Sequence, residues 1–134
     1  MIKKAIFIIL TLQTFLLAQF QGANSDEMIE LHRAGSVIID IRTPTEWEQT
    51  GVVPGSVKIM FFDENGAYDI DKFMSELKKV VKDKNQPIIL ICRTANRTKT
   101  VGNFLSNDMG YKNVKELSGG ITFGWINEGK KTVK

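Results

Sequence analysis

A single cysteine and a single histidine among 134 residues narrow the chemistry before any motif is read. One cysteine cannot close an internal disulfide, so the fold must rest on its hydrophobic core. Cys92 and His32 together cannot supply the four ligands of a structural zinc site, so no metal site is expected. A membrane-spanning helix needs roughly 20 apolar residues in succession. The longest apolar stretch, Ala5 to Leu17, is shorter and is diluted by Thr11, Gln13 and Thr14. A basic block is missing too. The formal net charge of +3 includes Lys3 and Lys4, and the remaining chain is close to neutral, which argues against a nucleic-acid partner. No repeat, low-complexity tract or linker marks a second domain.

The first residues differ from the rest. Lys3 and Lys4, the apolar stretch and the small residue Ala18 followed by polar residues form the pattern of a secretory signal. The expected organisation is a signal peptide over residues 1–23 and one domain over 24–134. The expected location is outside the cytoplasm, in the periplasm, with membrane attachment only where the signal stays uncleaved.

From Ser25 onward helix and strand patterns alternate. A helix from Asp26 to Ala34, capped by Ser25 and stopped by Gly35, precedes the β-branched run Val37 to Ile41. Pro44 opens a short helix ending near Gly51, and Val57 to Met60 reads as a strand. Asn65-Gly66 marks a turn. Asp69 or Asp71 starts a helix with Phe73, Met74, Leu77, Val80 and Val81 on one face and lysines facing water. Ile88 to Ile91 and Val114 to Leu117 read as strands, with a helix between them ending at Gly110 and another over Ile121 to Asn127. The tail from Lys130 is expected to fray. Strands separated by helices predict an α/β domain, its central sheet mostly parallel and covered on both faces.

Cys92 follows the buried run Ile88 to Ile91 and opens the segment Cys92-Arg93-Thr94-Ala95-Asn96-Arg97. In such sheets ligands gather at the carboxyl ends of the strands. Unpaired N–H groups of the loop and the next helix, with Arg93 and Arg97, would favour thiolate over thiol and cradle an anion. Such a cradle suits sulfur transfer or phosphate-ester hydrolysis.

The residues resemble the rhodanese family of sulfurtransferases from about Ser25 to Gly129. The matching motifs are Ile39-Asp40-Ile41-Arg42, Glu46, Gly51, Pro54-Gly55-Ser56, the Cys92 to Arg97 loop, Leu117-Ser118-Gly119-Gly120 and Trp125. In that family a six-residue loop goes with sulfur transfer, whereas related dual-specificity phosphatases and arsenate reductases carry one residue more. The resemblance implies a rhodanese-like α/β fold and a two-step cycle without metal or organic cofactor. The Cys92 thiolate takes the outer sulfur of a small anionic donor such as thiosulfate, then passes it from the persulfide to cyanide, a thiol or a protein acceptor. Arg93, Thr94, Ala95, Asn96 and Arg97 would bind substrate, Arg97 also holding the loop, with Asp40 and Arg42 in support. A non-enzymatic persulfide carrier is the alternative, and a cysteine phosphatase or arsenate reductase ranks below it.

The chain departs from the family at Ala95, where glycine is frequent, and at Val52, where histidine is frequent. Alanine suits position 95 if the backbone there needs no positive φ. Other residues carry plainer expectations. Asp40 is a satisfied buried carboxylate ordering the loops near Cys92. Arg42 and Glu46 have the spacing of a salt bridge. His32 lies at the surface, and Trp47, Trp125 and Phe123 belong to the core or its rim.

Overall fold

The computed structural model describes residues 20–134. The expected signal peptide therefore lies almost wholly outside the described residues. Five parallel strands form one sheet: β1 (Gln21–Ala23), β2 (Val37–Asp40), β3 (Val57–Lys58), β4 (Ile88–Ile91) and β5 (Val114–Leu117). Their spatial order is β1-β5-β4-β2-β3, so the four-residue buried run of β4 is the central strand. Between them run α1 (Ser25–Arg33), α2 (Pro44–Thr50), α3 (Ile70–Val80) and α4 (Arg97–Asn103), the last continuing as a π-helical turn over Phe104–Asp108. A second π-helical turn, Thr122–Ile126, follows β5. This is the α/β architecture that the strand and helix patterns predict.

The pleat sorts the central residues between two cores, because successive side chains of a strand point to opposite faces. Ile38, Ile89 and Ile91 pack with Met28, Ile121 and Trp125 on one face. Ile39, Leu90 and Cys92 pack with Phe73, Val101 and Leu105 on the other. Cys92 thus faces the layer that contains α3 and α4.

Several expectations need correction. Asn24, not Ser25, caps α1, its side chain accepting from the Glu27 N–H at 2.9 Å, while Ser25 is buried. Just before the expected domain start at residue 24, Gln21–Ala23 add an edge strand that pairs in parallel with Lys115 to Leu117. Nor does the tail fray. Val133 pairs antiparallel with Val52, the Val52 N–H donating to its carbonyl at 2.7 Å, and Thr132 donates to the Thr50 carbonyl at 2.6 Å.

Candidate active site

Parallel pairing brings the carboxyl ends of β2, β4 and β5 to one rim. Asp40 lies opposite Ile91, and the Ile41 N–H donates to the Ile91 carbonyl at 2.9 Å, so Asp40 to Arg42 flank Cys92. From the other side the Ile121 and Thr122 N–H groups donate to the carbonyls of Cys92 and Arg93 at 2.9 and 3.1 Å. Gly120, at φ +65°, makes this possible, since a Cβ there would collide with the Arg93 carbonyl. The Ser118-Gly119-Gly120 turn is therefore a clamp on the loop.

Within the loop, the N–H groups of Arg93, Thr94, Ala95, Asn96, Arg97 and Thr98 find no acceptor among the described residues. A run of unpaired backbone donors makes an anion-binding concavity. Ala95 adopts φ +66°, the left-handed region, and is buried. The premise that alanine at position 95 needs no positive φ is therefore overturned.

The predicted salt bridge between Arg42 and Glu46 does not form. Arg42 and Asp40 are both fully buried, and Arg42 donates to the Asp40 carboxylate through Nε at 2.9 Å and Nη2 at 2.7 Å. Its remaining donors reach the Thr50 hydroxyl at 2.8 Å and the Gly51 carbonyl at 3.0 Å. Charges removed from water hold together only when paired and hydrogen-bonded in this way. Asp40 is the satisfied carboxylate expected, and it ties β2 to the end of α2.

Glu46 instead holds Arg97 in a two-pronged pair at 2.6 and 2.7 Å. Burial pushes the Glu46 carboxyl up, but its bonds to Arg97 and Thr43 outweigh that and leave it below the usual carboxylate range. The Glu46 hydrogen bonds raise the Arg97 guanidinium against the opposing effect of burial, and the charges of Glu46, Cys92 and Asp40 add to the rise. Arg97 thus anchors the loop to α2. Arg93 is exposed and makes no side-chain bond or ion pair among the described residues, which leaves its charge free at the loop surface. Asn96 is exposed and donates to the Thr94 hydroxyl at 3.3 Å.

Cys92 itself is 1% exposed. Its Sγ contacts the Thr98 hydroxyl at 3.6 Å, and no loop N–H donates to it. The cradle and the sulfur are adjacent along the chain but not hydrogen-bonded to each other. His32 forms no dyad with Cys92, since its Nδ1 meets the Ser36 carbonyl at 2.9 Å, before the start of β2. A separate cavity of about 490 Å³ is lined by Trp47, Lys58, Phe61, Tyr68 and Phe73, with none of Cys92 to Arg97 in its wall.

A domain model described as "Rhodanese-like domain" matches residues 24–128. The chain belongs to that family. Among relatives, a rhodanese domain-containing protein of Drosophila melanogaster is 32% identical over 79 residues, covering 58% of this chain and 70% of the relative. The polysulfide-sulfur transferase homodimer of Wolinella succinogenes superposes with TM-score 0.62 at 21% identity, covering 87% of this chain and 79% of that one. A Rhodopseudomonas palustris protein of unknown function, described as a possible tyrosine phosphatase, gives TM-score 0.60 at 24% identity, with 85% of each chain covered. At these identities the two structures establish the rhodanese-like fold and nothing finer. Sequence reasoning on the rhodanese-like loop missed Thr98, whose hydroxyl contacts the sulfur, and Glu116 and Lys99, which continue the hydrogen-bond chain from it. The available signal was Glu116 on the inward face of β5, the face that Val114 shares with the α4 core.

Proposed function

We propose that this rhodanese-like domain transfers sulfane sulfur through a persulfide on Cys92. The observation that carries the reading is the six-residue loop from Cys92 to Arg97, its N–H groups unpaired, clamped by Gly120 on one side and by Glu46 on the other. In the loading step a lone pair on the Cys92 sulfur attacks the outer sulfur of thiosulfate. A new S–S bond forms on Cys92, the donor's S–S bond breaks, and sulfite leaves with the bonding electrons. The loop N–H groups and the free charge of Arg93 supply the attraction for the dianion and for the resulting persulfide. A second thiophile, cyanide or a thiol, then attacks the terminal persulfide sulfur and releases Cys92. The roles of Thr94, Ala95 and Asn96 are those of backbone donors, and Arg97 holds the loop.

The protein is taken as exported on the character of its first residues, with a small anionic donor and a thiol or protein acceptor as its partners. Incubation with thiosulfate followed by intact-mass measurement should add one sulfur atom to the wild type and none to Cys92→Ala. A wild type that gains nothing across the pH range overturns sulfur transfer. Turnover with cyanide separates an enzyme from a carrier that hands sulfur only to a protein.

A further inference from the structure

Behind Cys92 runs a buried polar chain that the loop chemistry leaves unused. The Thr98 hydroxyl lies 3.6 Å from Sγ and donates to Glu116 Oε2 at 2.5 Å, while Lys99 Nζ holds Glu116 Oε1 at 2.8 Å and the Ala95 carbonyl at 2.7 Å. Cys92, Thr98 and Glu116 are 1%, 0% and 7% exposed, so water does not compete for the contacts among these three. We infer that Glu116, acting through Thr98, holds the Cys92 sulfur in its protonated form, as a positioning residue that sets the pH at which the site accepts sulfur. The inference rests on Cys92 being the group that is loaded.

Hydrogen-bond polarity decides which form of the sulfur is favoured. A hydroxyl has one proton to give. Thr98 gives its proton to a carboxylate, the stronger acceptor, so only lone pairs remain to face Sγ. That contact is attractive when the sulfur carries its proton and repulsive when it does not. Neighbouring charges do not reverse the preference: the unpaired Arg93 guanidinium is exposed and screened by water, and each of the other cations facing the site already has its own anion. Arg42 is paired with Asp40 from β2, Arg97 with Glu46 from α2, and Lys99 with Glu116 from β5. A thiolate would be one anion more than these pairs balance. Ionising Cys92 therefore requires its proton to pass to Thr98 Oγ1 as the Thr98 proton passes to Glu116 Oε2, or requires Thr98 to turn away from Glu116. On loading, the thiol proton follows the same path, so the persulfide forms beside a neutral carboxyl and the proton count is conserved.

Glu116→Gln reverses the chain. Lys99 selects the amide oxygen, which leaves the amide N–H group facing Thr98 and frees the Thr98 proton for the sulfur. Thiolate absorbance of Glu116→Gln, measured against a Cys92→Ala blank in the same background, should show its midpoint about one pH unit or more below that of the wild type. Sulfur loading below the midpoint should then rise about tenfold for each pH unit by which the midpoint falls, since the thiolate is the nucleophile. With Thr98→Val as the background the same substitution should move the midpoint by less than half as much, and with Thr98→Ser by the full amount. A midpoint that stays or rises in Glu116→Gln overturns the inference, as does a loss of loading by one factor at every pH, which is what a structural role alone would give. The wild type offers a measurement independent of variant folding. Its infrared S–H stretch should be present at neutral pH and absent from Cys92→Ala, and a wild type already lacking it overturns the inference. A lowered midpoint without any uptake of sulfur from thiosulfate would instead remove the proposed function and leave standing only the hold of Glu116 on the protonated sulfur.

Discussion

Ala95 occupies a backbone conformation that L residues avoid and glycine does not, at a cost of about 1–2 kcal/mol. Its methyl group is buried, which returns about 0.8 kcal/mol. Ala95→Gly removes both terms and adds about 0.5–1 kcal/mol of backbone freedom in the unfolded chain. The three nearly cancel, so the substitution should change the unfolding free energy by less than about 1 kcal/mol. Ala95→Val is different, because a branched Cβ at positive φ is a steric outlier and should cost about 2 kcal/mol or more. Chemical denaturation of the two variants checks this, and a valine tolerated as well as glycine would mean that the loop relaxes out of its left-handed turn. The loop's unpaired N–H groups depend on that turn, so the same comparison tests whether the cradle is rigid.

At the level of elements, α2 is tied to the active loop through one side chain. Thr43 caps α2 with Glu46 in a reciprocal capping box, and the same Glu46 carboxylate grips Arg97. The folded state holds this carboxyl below its ordinary value of 4.5, so the unfolded chain takes up the proton first as pH falls. The stabilisation is therefore full above about 4.5 and is lost as pH drops through the lower folded value. Glu46→Gln should cost about 1 kcal/mol at pH 7, the modest figure expected of a pair still open to solvent. The gap between wild type and variant should narrow as pH falls from 4.5 through the lower folded value. A constant gap in denaturation midpoints across that range would show that the charge of Glu46 contributes nothing. This pairing also marks the limit of what the sequence can say. The strands β2, β4 and β5 were legible because buried β-branched and aliphatic runs leave few alternatives, and the Cys92 loop was legible from its position after β4. The partner of Arg97 was not, because it depends on where α2 docks across 51 residues of chain, and the nearer Arg42 looked the better match for Glu46. Strand β1 escaped notice for a related reason. Gln-Gly-Ala has little strand preference of its own and extends only because β5 offers an open edge.

For the whole molecule, that edge strand decides where the folded body begins. The Ser118 N–H donates to the Ala23 carbonyl at 2.8 Å, and Gly22 lies opposite Glu116, so β1 covers the strand that carries the carboxylate behind Cys92. Phe20 packs over Gly102 of α4, where even a methyl group would collide with its ring. A signal peptidase cut after Ala23 would strip β1, expose the backbone edge of β5 and empty the seat over Gly102. Uncovered strand edges invite pairing with other chains, so such a product would be both less stable and prone to aggregate. For a chain exported and cleaved as proposed, the cut should instead fall before Phe20, and Ala18 is the small residue that allows it, leaving Gln19 as the first residue. Intact-mass measurement of the protein isolated from its source cells should find Phe20 retained, whereas a mature chain starting at Asn24 would show that β1 is dispensable. A chain made directly as residues 24–134 should unfold at least about 2 kcal/mol more easily than one made as 19–134, because it loses a partly buried aromatic contact together with a strand. Equal stability of the two would mean that the sheet does not need its first strand.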